Sequence, residues 1–196
     1  MENKAGKGKV LMIAGAVLVG AALFLLLHNL YEDHMAGQIA GALLPDVQAA
    51  AIGDQNQGLQ RFPGDDMTVR EIDGQDYIGY LSIPALDLEL PVMSSWDEER
   101  LKIAPCRHFG STWNDNLVIA GHNYKRHFGF LSKLERGDGV FFTDMDGIES
   151  TYQVKEIGVV QPTAAEELKN SEWDLILYTC TYGGQDRIAV CCAREQ

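Results

Sequence analysis

Eighteen consecutive residues, Val10 to Leu27 (VLMIAGAVLVGAALFLLL), are apolar or small and carry no charge. At about 1.5 Å rise per residue, a helix of that length reaches about 27 Å, close to the hydrocarbon thickness of a bilayer. His28 and Asn29 end the run, and Leu30-Tyr31 suits the membrane interface. A cleavable signal peptide is the rival reading, but its apolar region is shorter and a small-residue cut site follows it closely. Ala36-Gly37 lies too far beyond this run to serve. The segment therefore reads as an uncleaved anchor, and membrane lipid is an expected partner. Lys4, Lys7 and Lys9 precede it, which places the N-terminus in the cytoplasm and the rest of the chain outside. The organisation expected is a basic head over 1–9, an anchor over 10–30, a helical stalk and linker over 31–72, and a catalytic domain over 73–196.

The net charge of −12 argues against a nucleic-acid partner, because the only basic cluster is the short head. Acidity of this kind keeps an exported domain soluble. Gly64-Asp65-Asp66 is acidic, yet no loop has the spacing of a dedicated calcium site. Cys106, Cys180, Cys191 and Cys192 include no C-x-x-C pair, so a zinc site is poorly supported. The expectation is no metal site and no cofactor. Cys191 and Cys192 are neighbours on a predicted strand, so they point to opposite faces and do not pair with each other. One is expected to fill the core and the other to lie on the opposite face.

Tyr31 to Ile52 reads as a helix broken at Pro45 and followed by a second short helix. Gly53 to Gly64 is polar and patternless, a linker. From about Asp73 the texture is β. Strands are expected over Tyr77 to Ile83, Asp87 to Val92, Leu117 to Ala120, Gly139 to Thr143, Thr151 to Val160, Leu175 to Thr179 and Ile188 to Ala193. Capping boxes at Ser95–Glu98 and Thr163–Glu166 predict short helices over Trp96 to Ile103 and to about Leu168. Seven or eight strands with brief helical inserts predict a mainly β fold, a closed barrel preceded by a transmembrane helix.

The chemistry gathers at strand ends. Asp174-Leu-Ile-Leu-Tyr-Thr-Cys180 and Arg187-Ile-Ala-Val-Cys-Cys-Ala-Arg194 flank a turn containing Gly183-Gly184. If the flanks pair antiparallel, Cys180 faces Arg187 across the hairpin mouth, and a fixed cation biases a thiol toward thiolate. His122 follows another apolar run, Asn116-Leu-Val-Ile-Ala-Gly. This set suggests thiol acyl transfer. Cys106, within Pro-Cys-Arg-His108, is the rival nucleophile.

The stretches Ile119-Ala-Gly-His122-Asn and Leu177-Tyr-Thr-Cys180, with the following Arg187, resemble the three signatures of the sortases, membrane-anchored cysteine transpeptidases of Gram-positive bacteria. Ile78-Gly-Tyr-Leu-Ser-Ile-Pro84 and Leu134-Glu-Arg-Gly-Asp138 extend the similarity over Tyr77 to Arg194. Ile176 stands where the family often has threonine. The short Gly-Gly loop and the lack of an Asp-Pro-aromatic lid upstream are closest in texture to class B-like clostridial sortases. The resemblance implies an eight-stranded barrel with the site at one end. It implies secreted proteins bearing a C-terminal sorting signal as donors, and a cell-wall peptidoglycan-precursor amine or a pilin lysine as acceptor.

Under that resemblance Cys180 is the nucleophile that forms a thioacyl-enzyme. His122 protonates the leaving amine and deprotonates the incoming one. Arg187 supports the substrate carbonyl and the oxyanion. The Thr181 N–H is a candidate second oxyanion donor, Thr179 a candidate orienting residue, and Asn123 and Tyr182 candidate rim residues. His108 and His127 are expected to be ordinary surface or loop histidines, and Arg194 to snorkel at a strand end. A pilin polymerase, a cysteine hydrolase and a non-catalytic tethered binding domain are the competing functions.

Overall fold

The computed structural model describes residues 4–52, 67–164, 168–169 and 171–195. The chain divides into two compact units, Met1–Met35 and Ala36–Gln196. The first is helical throughout its described length and belongs to α1, Lys4–Ile52. An 18-residue window of α1 has a mean hydropathy of 2.8, so the helix is long and apolar enough to cross a membrane.

The second unit is built on nine strands: β1 (Arg70–Ile72), β2 (Gln75–Ile83), β3 (Leu88–Met93), β4 (Cys106–Phe109), β5 (Leu117–Ala120), β6 (Gly139–Asp144), β7 (Glu149–Val160), β8 (Leu175–Cys180) and β9 (Arg187–Arg194). Their order is β1-β2-β3-β4-β5-β8-β9-β7-β6, and β2 also pairs with β6. That last pairing closes β2 to β9 into an eight-stranded barrel, with β1 hydrogen-bonded to the start of β2. Closure depends on Gly79, whose φ is +150° and which pairs with Asp144. A Cβ there would lie 2.1 Å from the Thr143 carbonyl oxygen, so the glycine lets β6 approach.

Alternation along the strands separates two apolar layers. Leu117, Ile119, Leu175, Leu177, Val190 and Cys192 face the barrel interior with Phe128, Phe142 and Tyr152. Val118, Ala120, Ile176, Tyr178, Ala189 and Cys191 face outward, beneath Leu101, Val160, Leu168 and Trp173. Cys191 and Cys192 thus point to opposite faces, and all four cysteines are free.

Four expectations need correction. Pro45 does not break the helix: α1 runs through it to Ile52. An internal proline removes a hydrogen bond and costs about 3 kcal/mol, and packing on both sides offsets that cost. Ala36 and Ala40 are buried before it, and Val47 and Ala51 pack with Tyr77, Met93 and Met145 after it. The helix near residue 100, α2, spans only Glu98–Leu101, and its cap is Asp97, which accepts from the Arg100 N–H at 2.8 Å, not Ser95. β4 was not anticipated, because Cys-Arg-His-Phe has no alternating pattern; non-local pairing with β5 and the single bridge Met93–Cys106 to β3 define it. Arg194 does not snorkel. Its guanidinium bonds Asp115 Oδ1 at 2.7 Å, Ser150 Oγ at 2.8 Å, Tyr152 Oη at 3.2 Å and the Thr112 carbonyl. The Gly53–Gly64 linker, Gly64-Asp65-Asp66 and Glu166 of the second capping box lie outside the described residues; Pro162–Ala164 forms a 3-10 turn.

Candidate active site

β8 and β9 form the antiparallel hairpin, and its last pair is Cys180 with Arg187. Both continue the outward-facing alternation of Ile176, Tyr178 and Ala189. The turn between them is locally locked. Thr181 N–H donates to the Asp186 carbonyl at 2.9 Å, and Asp186 N–H donates to Thr181 Oγ1 at 3.1 Å. The Arg187 Nη1 donates to the carbonyls of Gly184 and Asp186, each at 3.1 Å. The guanidinium is therefore tethered on one edge by backbone carbonyls, and no carboxylate partners it among the described residues.

β5 lies parallel to β8, with Ala120 opposite Tyr178, and the Gly121 N–H extends the ladder to the Tyr178 carbonyl at 3.0 Å. His122 thus follows β5 at the same barrel end where Cys180 finishes β8. Gly121 is needed there, since a Cβ would lie 2.4 Å from the Phe128 ring. The Phe128 N–H donates back to the His122 carbonyl at 3.0 Å, so the loop returns at once. His122 Nδ1 lies 3.2 Å from Asn123 Oδ1. With a proton on Nδ1 this contact is a hydrogen bond, and Nε2 is then the ring nitrogen left for other partners.

A cavity of about 330 Å³ opens beside the thiol, lined by Cys180, Arg187, Thr179, Tyr178, Ala120, Gly121, His108, Trp96, Leu101, Pro162 and Thr163. The other three cysteines cannot compete as nucleophiles. Burial pushes the Cys106 and Cys192 thiols up to about 12 and the Cys191 thiol up to about 11. Cys106, the rival candidate, is fully buried, with its sulfur 3.4 Å from the Ala104 carbonyl oxygen. Only Cys180 is part-exposed.

A sortase-domain family profile matches residues 81–195, more than half of the chain. The chain belongs to the sortase family. Sortase A of Bacillus anthracis is 31% identical over 115 residues, covering 56% of this chain and 54% of that protein. The chain thus spans about half the length of that curated relative. Among solved structures, sortase C1 of Streptococcus agalactiae superposes with a TM-score of 0.55 at 28% identity, over 64% of this chain and 71% of that one. A Clostridium perfringens sortase C, at 24% identity, shares the fold with a TM-score of 0.56 over 79% of this chain and 88% of its own. The sortase assignment accounts for both the barrel and the apolar N-terminal helix, since members are membrane-anchored transpeptidases.

Within this sortase the four remaining candidate residues differ in placement. Asn123 contacts the imidazole as described. Thr179 points inward, its hydroxyl buried and unpaired, so its contact with the cavity is not through that oxygen. Tyr182 is fully exposed at the turn. Thr181 requires a correction: its N–H is committed to Asp186, so it does not point at a substrate oxyanion.

His108 and His127 also differ from expectation. His127 is fully buried, edge-on to Tyr124 at 5.6 Å. His108 lines the cavity, with Nδ1 2.9 Å from Tyr178 Oη and its ring against Trp96 and Tyr178. Burial raises the Tyr178 phenol to about 12, against the opposing pull of Arg187. Tyr178 and Cys180 are two apart on one strand, so period-2 alternation alone would have flagged Tyr178 as a wall residue. His108 and Trp96 carried no such signal, since each reaches the wall from a distant segment.

Proposed function

We propose that this sortase cleaves a C-terminal sorting signal of secreted proteins, forms a thioacyl-enzyme on Cys180, and transfers the acyl group to an amine on the cell wall. The observation that carries the reading is the terminal β8–β9 pair, which sets the one part-exposed thiol beside an arginine that has no carboxylate partner among its described hydrogen bonds. The Cys180 thiolate attacks the scissile carbonyl, and the Arg187 guanidinium stabilises the oxyanion. In the reacting state the Cys180 proton sits on His122 Nε2, so a thiolate faces an imidazolium, and the leaving amine takes that Nε2 proton. The incoming amine returns one as it displaces the sulfur, so the thiolate is regenerated. The expected topology is a cytoplasmic N-terminus, a span over 10–30 and an extracellular catalytic domain.

A pilin lysine is the second acceptor considered, since sortase C structures are among the neighbours. The test is mass spectrometry with a panel of sorting-signal peptides, offering triglycine and Nα-acetyl-lysine amide as acceptors. An adduct on Cys180, discharged faster by triglycine, supports wall anchoring. Faster discharge by the lysine amide transfers the assignment to pilin polymerisation. Discharge indifferent to both amines makes the protein a hydrolase and ends the transpeptidase reading.

A further inference from the structure

We propose that Tyr124 is a positioning residue for the imidazole of His122, an inference that rests on the catalytic role assigned to that histidine. The two rings are nearly coplanar, with centroids 3.9 Å apart and planes inclined by 4°. A third ring stands behind the tyrosine. The fully buried His127 ring abuts Tyr124 at 5.6 Å with an interplanar angle of 65°. Three rings therefore stand in a row, with the innermost one embedded in the protein and His122 the outermost.

The row is fixed by backbone bonds. The Tyr124 carbonyl accepts from the N–H of His127 at 3.0 Å and of Gly129 at 2.8 Å, and His122 accepts from the N–H of Phe128 at 3.0 Å. Phe128, fully buried, ties the same loop to the barrel interior. The tyrosine ring then limits rotation of the imidazole about χ2, while Asn123 Oδ1, 3.2 Å from Nδ1, meets the edge of the ring. A general acid–base must hold its geometry through both half-reactions, and small misplacement is costly. The phenol itself takes no part in the chemistry; the ring face is what acts.

The test uses the full chain in detergent micelles, with the sorting peptide that acylates it best and triglycine as acceptor. Tyr124→Leu lowers kcat about tenfold, a fraction of the general acid–base contribution, and leaves KM within twofold. Tyr124→Phe, which keeps the ring, restores kcat to within about twofold. In a His122→Ala background, Tyr124→Leu has no further effect. Equal rates for Tyr124→Leu and the native enzyme, or an additive loss in the His122→Ala background, would overturn the inference. An unchanged rate for His122→Ala alone would sink the histidine's catalytic role as well. Should Tyr124→Leu fold poorly, the native protein still decides. The His122 ring protons are expected at upfield NMR positions from the tyrosine ring current, and ordinary shifts would contradict the stack.

Discussion

One strand carries two arginines at its opposite ends, and the protein treats them differently. Arg194, at the end of β9 away from the thiol, has every edge of its guanidinium engaged: Asp115, Ser150, Tyr152 and the Thr112 carbonyl hold it, and the Tyr152 ring lies 5.1 Å beneath. Arg187, at the thiol end, is held by two carbonyls of its own turn and by no carboxylate among the described residues. The first arrangement neutralises the cation and joins β7, β9 and the β4–β5 loop. The second places the cation at a cavity wall with no carboxylate partner among the described residues. Equal residue types on one strand thus separate into a structural clamp and a poised electrostatic group, and the neighbouring carboxylate decides which is which.

Arg187→Lys gives the largest expected effect of the comparison. A point charge without the fork lowers kcat for peptide cleavage by about 100-fold, in the range for losing an oxyanion donor. The melting temperature stays within a degree or two. A rate near that of the native enzyme would remove Arg187 from the chemistry. Arg194→Ala reverses the pattern: about 2 kcal/mol of stability is lost in urea unfolding, because Asp115 and Tyr152 lose a charged partner, while the rate per folded molecule is preserved. A rate loss without destabilisation would erase the distinction between the two ends. Asp115→Asn, which keeps an acceptor but not the charge, should cost about half as much.

The two ends also share a pH response. Each end has a tyrosine raised by burial to about 12, Tyr152 opposed by Arg194 and Tyr178 opposed by Arg187. Cys106 and Cys192 are raised to about 12 from an ordinary value of 9.0. The folded protein retains these protons where the unfolded chain releases them. The resulting stability is fully present below about pH 9 and is lost as pH rises toward about 12. Thermal melts across that window should fall steadily; a flat profile would contradict the burial of these groups.

The site end was more legible than its surroundings. β8 and β9 each bear a continuous apolar run, and Gly183-Gly184 punctuates them, so the Cys180–Arg187 pairing follows from local pattern alone. His122 followed from the apolar run of β5. β4 was hidden because its identity as a strand comes from pairing with its sheet neighbour β5, and with it went His108 as a wall residue. The unbroken helix through Pro45 was hidden for the same reason: Val47 and Ala51 hold it from a cluster whose other members lie far along the chain. Thr181 looked free as a donor because sequence does not reveal that the turn closes on its N–H.

The central claim is that the thiol at the end of β8 carries the acyl group. Incubation of the full chain with the peptide panel, proteolysis and mass spectrometry locate the adduct. One adduct is expected, on the peptide containing Cys180, and it is absent in Cys180→Ala together with all cleavage. An adduct on Cys106, or cleavage that persists in Cys180→Ala, would contradict it.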